Sequence, residues 1–141
     1  MDRGTIFRVW LPLLVGLVVL GWIFQSAPGP HGVMRSIGLA LGVIGLGGVI
    51  LSRYTLGKSF SIVAKATALV TGGIYSRIRN PIYISGIIFL VGVVLIIRRP
   101  MLLAFLIVII PMQILRARRE AKVLEDKFGD QYREYRKRTW F

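Results

Sequence analysis

The stretch Val33–Leu51, VMRSIGLALGVIGLGGVIL, decides what kind of protein this is. It is apolar almost throughout, with Arg35 near its start, and it meets the ~20 predominantly apolar residues that a bilayer core demands of a spanning helix. Gly38, Gly42, Gly45 and Gly48 recur within it at spacings of three and four, which lines them along one helical face. Such a face lets a neighbouring helix come close, and packing is the role this pattern predicts.

Working outward, a second long apolar run precedes it, from about Ile6 to Phe24. Two shorter ones follow, Ile82–Ile97 and Met101–Leu115, the latter with Pro111 inside it. Only Arg98, Arg99 and Pro100 separate those two, so they predict a tight hairpin whose ends must snorkel if it crosses the full hydrocarbon thickness. The chain has 141 residues, is 55% hydrophobic, and has a mean hydropathy of +0.67. Blocks of this kind are a membrane protein's pattern. The expected fold is an all-α integral membrane protein of about four transmembrane helices, the last two a tight hairpin, plus a cytoplasmic amphipathic C-terminal helix. Residues 1–55 form a two-helix membrane segment and residues 56–141 the functional core. A signal peptide competes for the first run, since Arg3 and Arg8 precede it and Ser26-Ala27 resembles a cleavage site, but its apolar stretch is long for one.

Cysteine is absent, which excludes disulfides and thiolate metal sites. The single histidine, His31, sits in the turn-forming SAPGPHG and reads as a loop residue; no metal site is expected. The formal charge of +13 is placed asymmetrically. Arg3 and Arg8 precede the first helix; Arg53, Lys58, Lys65, Arg77 and Arg79 follow the second; Arg116 to Arg138 follow the fourth. With four crossings these segments share one side, and the positive-inside rule puts both termini and the central loop in the cytoplasm, at the cell or inner membrane if the source is prokaryotic. Orientation and contact with anionic head groups account for the charge. No nucleic-acid partner is needed.

The tail carries an apolar stripe, Ala117, Ala121, Leu124, Phe128, Tyr132 and Tyr135, at alternating spacings of four and three. It predicts a continuation of the fourth helix, interrupted near Gly129, with Asp130 capping the next turn. The stripe suits either a leaflet surface or a lid over the central loop. Arg116 and Glu120 stand one helical turn apart at the start of this tail.

Between the apolar runs lies Leu69–Gly86, LVTGGIYSRIRNPIYISG, polar and punctuated by glycine and proline. LGKSFS, then this stretch, then the hydrophobic hairpin, then RARREAKVLEDKFGDQYREY together resemble the isoprenylcysteine carboxyl methyltransferases and their phospholipid N-methyltransferase relatives. The likeness covers roughly Leu56 to Tyr135. It rests on the order of LVT-G-Y, R-x-P-x-Y, hairpin, R-x-x-x-E and FG-x-x-Y.

The resemblance implies an integral-membrane enzyme that takes a methyl group from S-adenosylmethionine. It implies cofactor contacts at Thr67, Ala68, Leu69, Val70 and Tyr75, at the box Asn80, Pro81, Ile82 and Tyr83, and at Glu120. It implies that Arg116 faces an anionic group of the acceptor, so Arg116 and Glu120 are the expected catalytic pair. The acceptor is expected to be a membrane lipid or lipidated molecule, with carboxyl O-methylation of an isoprenylcysteine-like substrate favoured. Two positions depart from the family pattern. Asn80 stands where the carboxyl methyltransferases commonly have histidine, and Ala121 where they have a second glutamate. Asparagine hydrogen-bonds but does not titrate near neutrality, so no histidine base is available there. These departures motivate the alternative, a non-catalytic membrane scaffold or lipid-binding protein on the same fold. A transporter is disfavoured because no acidic residue lies within an apolar run.

Overall fold

The computed structural model describes residues 11–29, 32–56, 69–99 and 101–141, with the side chain of Leu103 excepted. The start of the first run at Ile6, His31, most of LGKSFS, Thr67, Ala68 and Pro100 therefore lie outside the described residues. Among the described residues five α-helices follow in order: α1, Leu11–Ser26; α2, Val33–Leu56; α3, Pro81–Ile97; α4, Met101–Phe128; and α5, Asp130–Arg138. A 3-10 turn, Gly73–Ser76, precedes α3. Among the described residues there is no strand, only an isolated parallel bridge between Ile78 and Trp140.

The molecule is apolar on its outside. Val18, Trp22, Ile44, Phe105 and Ile107 are each more than 60% exposed on the outer faces of α1, α2 and α4. Water does not tolerate so continuous an apolar exterior, whereas lipid does. Among the described residues only α2 is both long and apolar enough to cross a membrane; α1 and α3 are shorter apolar helices. Four full crossings are thus not established by the helices themselves.

Packing centres on α2 against α3. A Cβ built on Gly38 would lie 2.7 Å from the Gly92 carbonyl oxygen, and one on Gly45 would lie 2.4 Å from the Phe89 backbone nitrogen. The glycine face expected from spacing is therefore the seat of the closest helix contact, and Gly92 answers it from α3. Here the structure corrects one expectation. The α3–α4 turn is as short as predicted, with Arg98 in the left-handed region at φ 56°, but α3 touches α4 far less than it touches α2. The cause is in the sequence of α4, which has no glycine to admit a neighbouring backbone. A second correction concerns Asp130. Gly129, at φ 49°, occupies the capping position, while Asp130 is the first residue of α5 and pairs with Arg133 at 3.1 Å.

Arg35 closes the other end of the bundle. It is 2% exposed, donates to the carbonyls of Ala27 and Gly29, the latter at 3.0 Å, and stacks its guanidinium over Phe24 at 5.2 Å. Two carbonyl groups of the turn that follows α1 are thus satisfied by a side chain of α2. A Cβ built on Gly29 would lie 4.0 Å from Arg98 Nη1, so the α1–α2 and α3–α4 turns lie near each other at one end. Arg35→Met is expected to lower stability by about 1.5–3 kcal/mol, the worth of hydrogen bonds to a charged group. Thermal unfolding in detergent checks this, and an unchanged midpoint would contradict it.

Candidate functional site

At the opposite end, the polar stretch from residue 69 to 80 is held in place by backbone rather than by regular structure. Gly73, at φ 58°, starts the 3-10 turn and backs onto Thr55 of α2, whose Cγ2 would be 3.0 Å from an added Cβ. Gly72 faces open space. The turn buries Tyr75, and the Tyr135 hydroxyl donates to the Tyr75 carbonyl at 2.7 Å. Three further bonds clip the end of the chain onto this segment: Trp140 N–H to the Arg77 carbonyl at 3.1 Å, Arg79 N–H to that of Trp140 at 3.2 Å, and Asn80 N–H to the Phe141 carbonyl at 3.0 Å.

The tail stripe is what this clip brings down. Ala117, Tyr132 and Tyr135 are buried, so the stripe covers the central loop rather than offering itself to a leaflet. Between α4, α5 and the loop lies a small, partly open cleft. Leu69, Val70, Tyr75, Asn80 and Glu120 line it, five of the residues predicted for the site. Pro81 and Ile82 do not line it; Pro81 is buried at the start of α3. The Tyr83 hydroxyl donates to Glu120 Oε2 at 2.8 Å, tying the start of α3 to α4 across 37 positions of sequence. Exposed Arg116 stands beside the same hydroxyl and does not line the cleft. Asn80 precedes Pro81 as the N-cap of α3, yet its side chain makes no capping bond. It reaches the cleft wall instead.

Sequence reasoning left out Leu56, Arg79, Leu124, Tyr132 and Tyr135, which complete the lining. Tyr132 closes the FG-x-x-Y motif, and the tail stripe contains Leu124, Tyr132 and Tyr135, so a signal for three of them was present. Arg79 is the first member of the R-x-P-x-Y box, so a signal for it was present too. The result is a cleft with one carboxylate, one guanidinium and three tyrosines amid leucine and valine side chains.

Burial pushes the Tyr75 hydroxyl well above the usual tyrosine range, and the Glu120 carboxylate adds to the shift. Burial likewise raises Tyr135 to about 12, reinforced by Tyr132 and opposed by Arg79. A tyrosine in the unfolded chain titrates near 10. From pH about 10 to about 12 the folded state therefore holds the Tyr135 proton that the unfolded state has lost, and stability falls as pH rises through this window. Below it, the full contribution is present. Tyr135→Phe is expected to lower the unfolding midpoint at pH 8, by loss of the bond to Tyr75, and to do so less at pH 11. Equal differences at the two pH values would contradict the assignment.

A family profile described as phospholipid methyltransferase matches residues 33–131. No curated protein matches the chain, and no solved structure does. The matched span runs from the start of α2 to the start of α5 and contains every wall of the cleft except Tyr132, Tyr135 and the terminal clip.

Proposed function

We propose a specific methyl-transfer reaction for this chain, which belongs to the phospholipid methyltransferase family: S-adenosylmethionine as donor and a lipidic carboxylate as acceptor. The observation that carries the proposal is the Tyr83–Glu120 bond beside a cleft walled by Leu69, Val70, Tyr75 and Asn80.

The residues present fit the donor's chemistry. Glu120 offers the negative charge that an amino group or sulfonium needs, while Tyr75, Tyr132 and Tyr135 offer ring faces to a cation or a purine. Leu56, Leu69, Val70 and Leu124 give the cleft apolar walls. When bound, S-adenosylmethionine supplies an activated methyl group on a good leaving group. The protein's part is then mainly positioning and desolvation. Tyr83 fixes the Glu120 carboxylate, the loop clip holds Asn80, and Arg116 orients an anionic acceptor through its planar fork of donors. A carboxylate acceptor needs no base, which suits asparagine at position 80. This favours carboxyl O-methylation of an isoprenylcysteine-like molecule. Such an acceptor enters from the bilayer, while the donor comes from the cytoplasm, the side that the basic loop and tail face under the positive-inside rule.

The test is transfer of labelled methyl from S-adenosylmethionine into a membrane lipid extract, followed by treatment with alkali. Label released as methanol marks a carboxyl ester and is the expected result. Alkali-stable label would replace the carboxylate acceptor with an amine. Cofactor binding without any incorporation would favour the scaffold reading that Asn80 and Ala121 motivate.

A further inference from the structure

A second, more open groove of about 360 Å³ also has Arg79 and Asn80 in its lining. Among the described residues its cations are Arg79, Arg118, Lys122 and Arg136, its one side-chain carboxylate is Glu125, and the backbone end at Phe141 also lines it. Glu125 is engaged by Arg133 at 3.0 Å and by Arg136 at 3.9 Å. The lining therefore carries a marked positive excess. Among the described residues, the Arg79 Nε–H is buried with no hydrogen-bond acceptor, and a buried donor of this kind normally has one.

The α4 residues that line the groove, Ile114, Ala117, Arg118, Ala121, Lys122 and Glu125, fall at helical spacing on one face. The face begins in the apolar half of α4 and continues into its charged half. Small side chains at 117 and 121 keep the floor low. Ala121 contributes no charge to this floor. An acid here would stand among the four cations and cancel part of their excess.

From this the geometry points to a binding site for the phosphate head group of an anionic membrane lipid, held by Arg118, Lys122 and Arg136 with Arg79 behind them, its first acyl carbons against Ile114 and Ala117. Charge complementarity selects an anion. The apolar end of the groove, at the boundary where α4 leaves its lipid-like half, selects an amphiphile over a free ion. The site is distinct from the cleft that holds Glu120, and it shares with that cleft the wall made by Arg79 and Asn80. A lipid seated there would steady that wall.

Native mass spectrometry of the full chain, released from micelles holding equal amounts of phosphatidylglycerol and phosphatidylcholine and no methyl donor, tests the assignment. The wild type is expected to retain the anionic lipid on the order of tenfold more, as a few basic groups near a charged head group allow. Ala121→Glu abolishes the preference. Ala121→Gln, of the same size, keeps most of it, and so does Gln131→Glu, which adds the same charge on an exposed position of α5. Equal retention of both lipids by the wild type would overturn the site, as would equal loss in Gln131→Glu and Ala121→Glu. Displacement of the lipid by millimolar inorganic phosphate would overturn the choice of a lipid and assign the groove to a soluble phosphate. Should Ala121→Glu not fold, the pair Arg118→Gln and Lys122→Gln gives the same reading. The readout is binding without turnover, so its failure leaves the methyl-transfer reading untouched, and the reverse also holds.

Discussion

Gly92→Val is expected to drive α2 and α3 apart and leave no folded protein to purify, whereas Gly47→Ala leaves the midpoint unchanged or slightly raised. At Gly92, a Cβ would stand 2.4 Å from the Gly42 nitrogen and 2.6 Å from the Gly38 carbonyl oxygen. Both neighbours are backbone, so no rotamer change makes room; the helices themselves must separate. Even alanine should cost at least the ~1–3 kcal/mol typical of an overpacked interior, and valine adds two further carbons to the same clash. Gly47 has nothing within 4 Å of its added Cβ. There the change removes only glycine's conformational penalty in a helix, about 0.5–1 kcal/mol. Thermal unfolding in detergent and the monodisperse fraction after purification distinguish the two. A Gly92→Val protein that melts like the wild type would show that the interface is loose.

Glu120→Gln is expected to weaken S-adenosylmethionine binding and methyl transfer by about 10- to 150-fold, the equivalent of the ~1.5–3 kcal/mol carried by a hydrogen bond to a charged group. The substitution keeps the shape of the side chain and its capacity to accept from Tyr83, so the loss reports the charge. Tyr83→Phe acts one step back. It removes the hydroxyl that holds the Glu120 carboxylate at 2.8 Å, and a fall of at least about tenfold in turnover is expected from the ~1.5–3 kcal/mol of a hydrogen bond to a charged group. Calorimetric titration of the detergent-purified protein reads binding, and single-turnover transfer reads the chemistry. Wild-type affinity in Glu120→Gln would remove Glu120 from the cofactor site. Wild-type rates in Tyr83→Phe would reduce the α3–α4 tie to a structural one.

The two predictions draw on different kinds of information. The glycine face of α2 was visible in spacing alone because a helix repeats every 3.6 residues, so Gly38, Gly42 and Gly45 must share a side. Spacing could not name the helix that meets it, and the tight hairpin expected between α3 and α4 proved less intimate than the α2–α3 pair. Gly92 lies on α3 with no local pattern that marks it. For the cleft, motif order brought Leu69, Val70, Tyr75, Asn80 and Glu120 into one hypothesis. The tail's apolar stripe was legible too, but it suited a leaflet and a lid equally well, since an amphipathic face specifies what it avoids and not what it covers.

What the chain's own residues determined is therefore the class of solvent and the local periodicities: apolar blocks that suit lipid, a glycine stripe, a helix broken at Gly129, and a polar stretch between the apolar runs. Tertiary structure decided the partners. The Tyr83–Glu120 bond spans 37 positions and the Tyr135–Tyr75 bond spans 60, and such contacts exist only once helices have chosen their neighbours. The same is true of the clip from Trp140 and Phe141, which joins backbone to backbone and leaves no side-chain signature to read. Periodicity orients a face; only packing, which trades backbone approach at glycine against bulk elsewhere, selects what meets it.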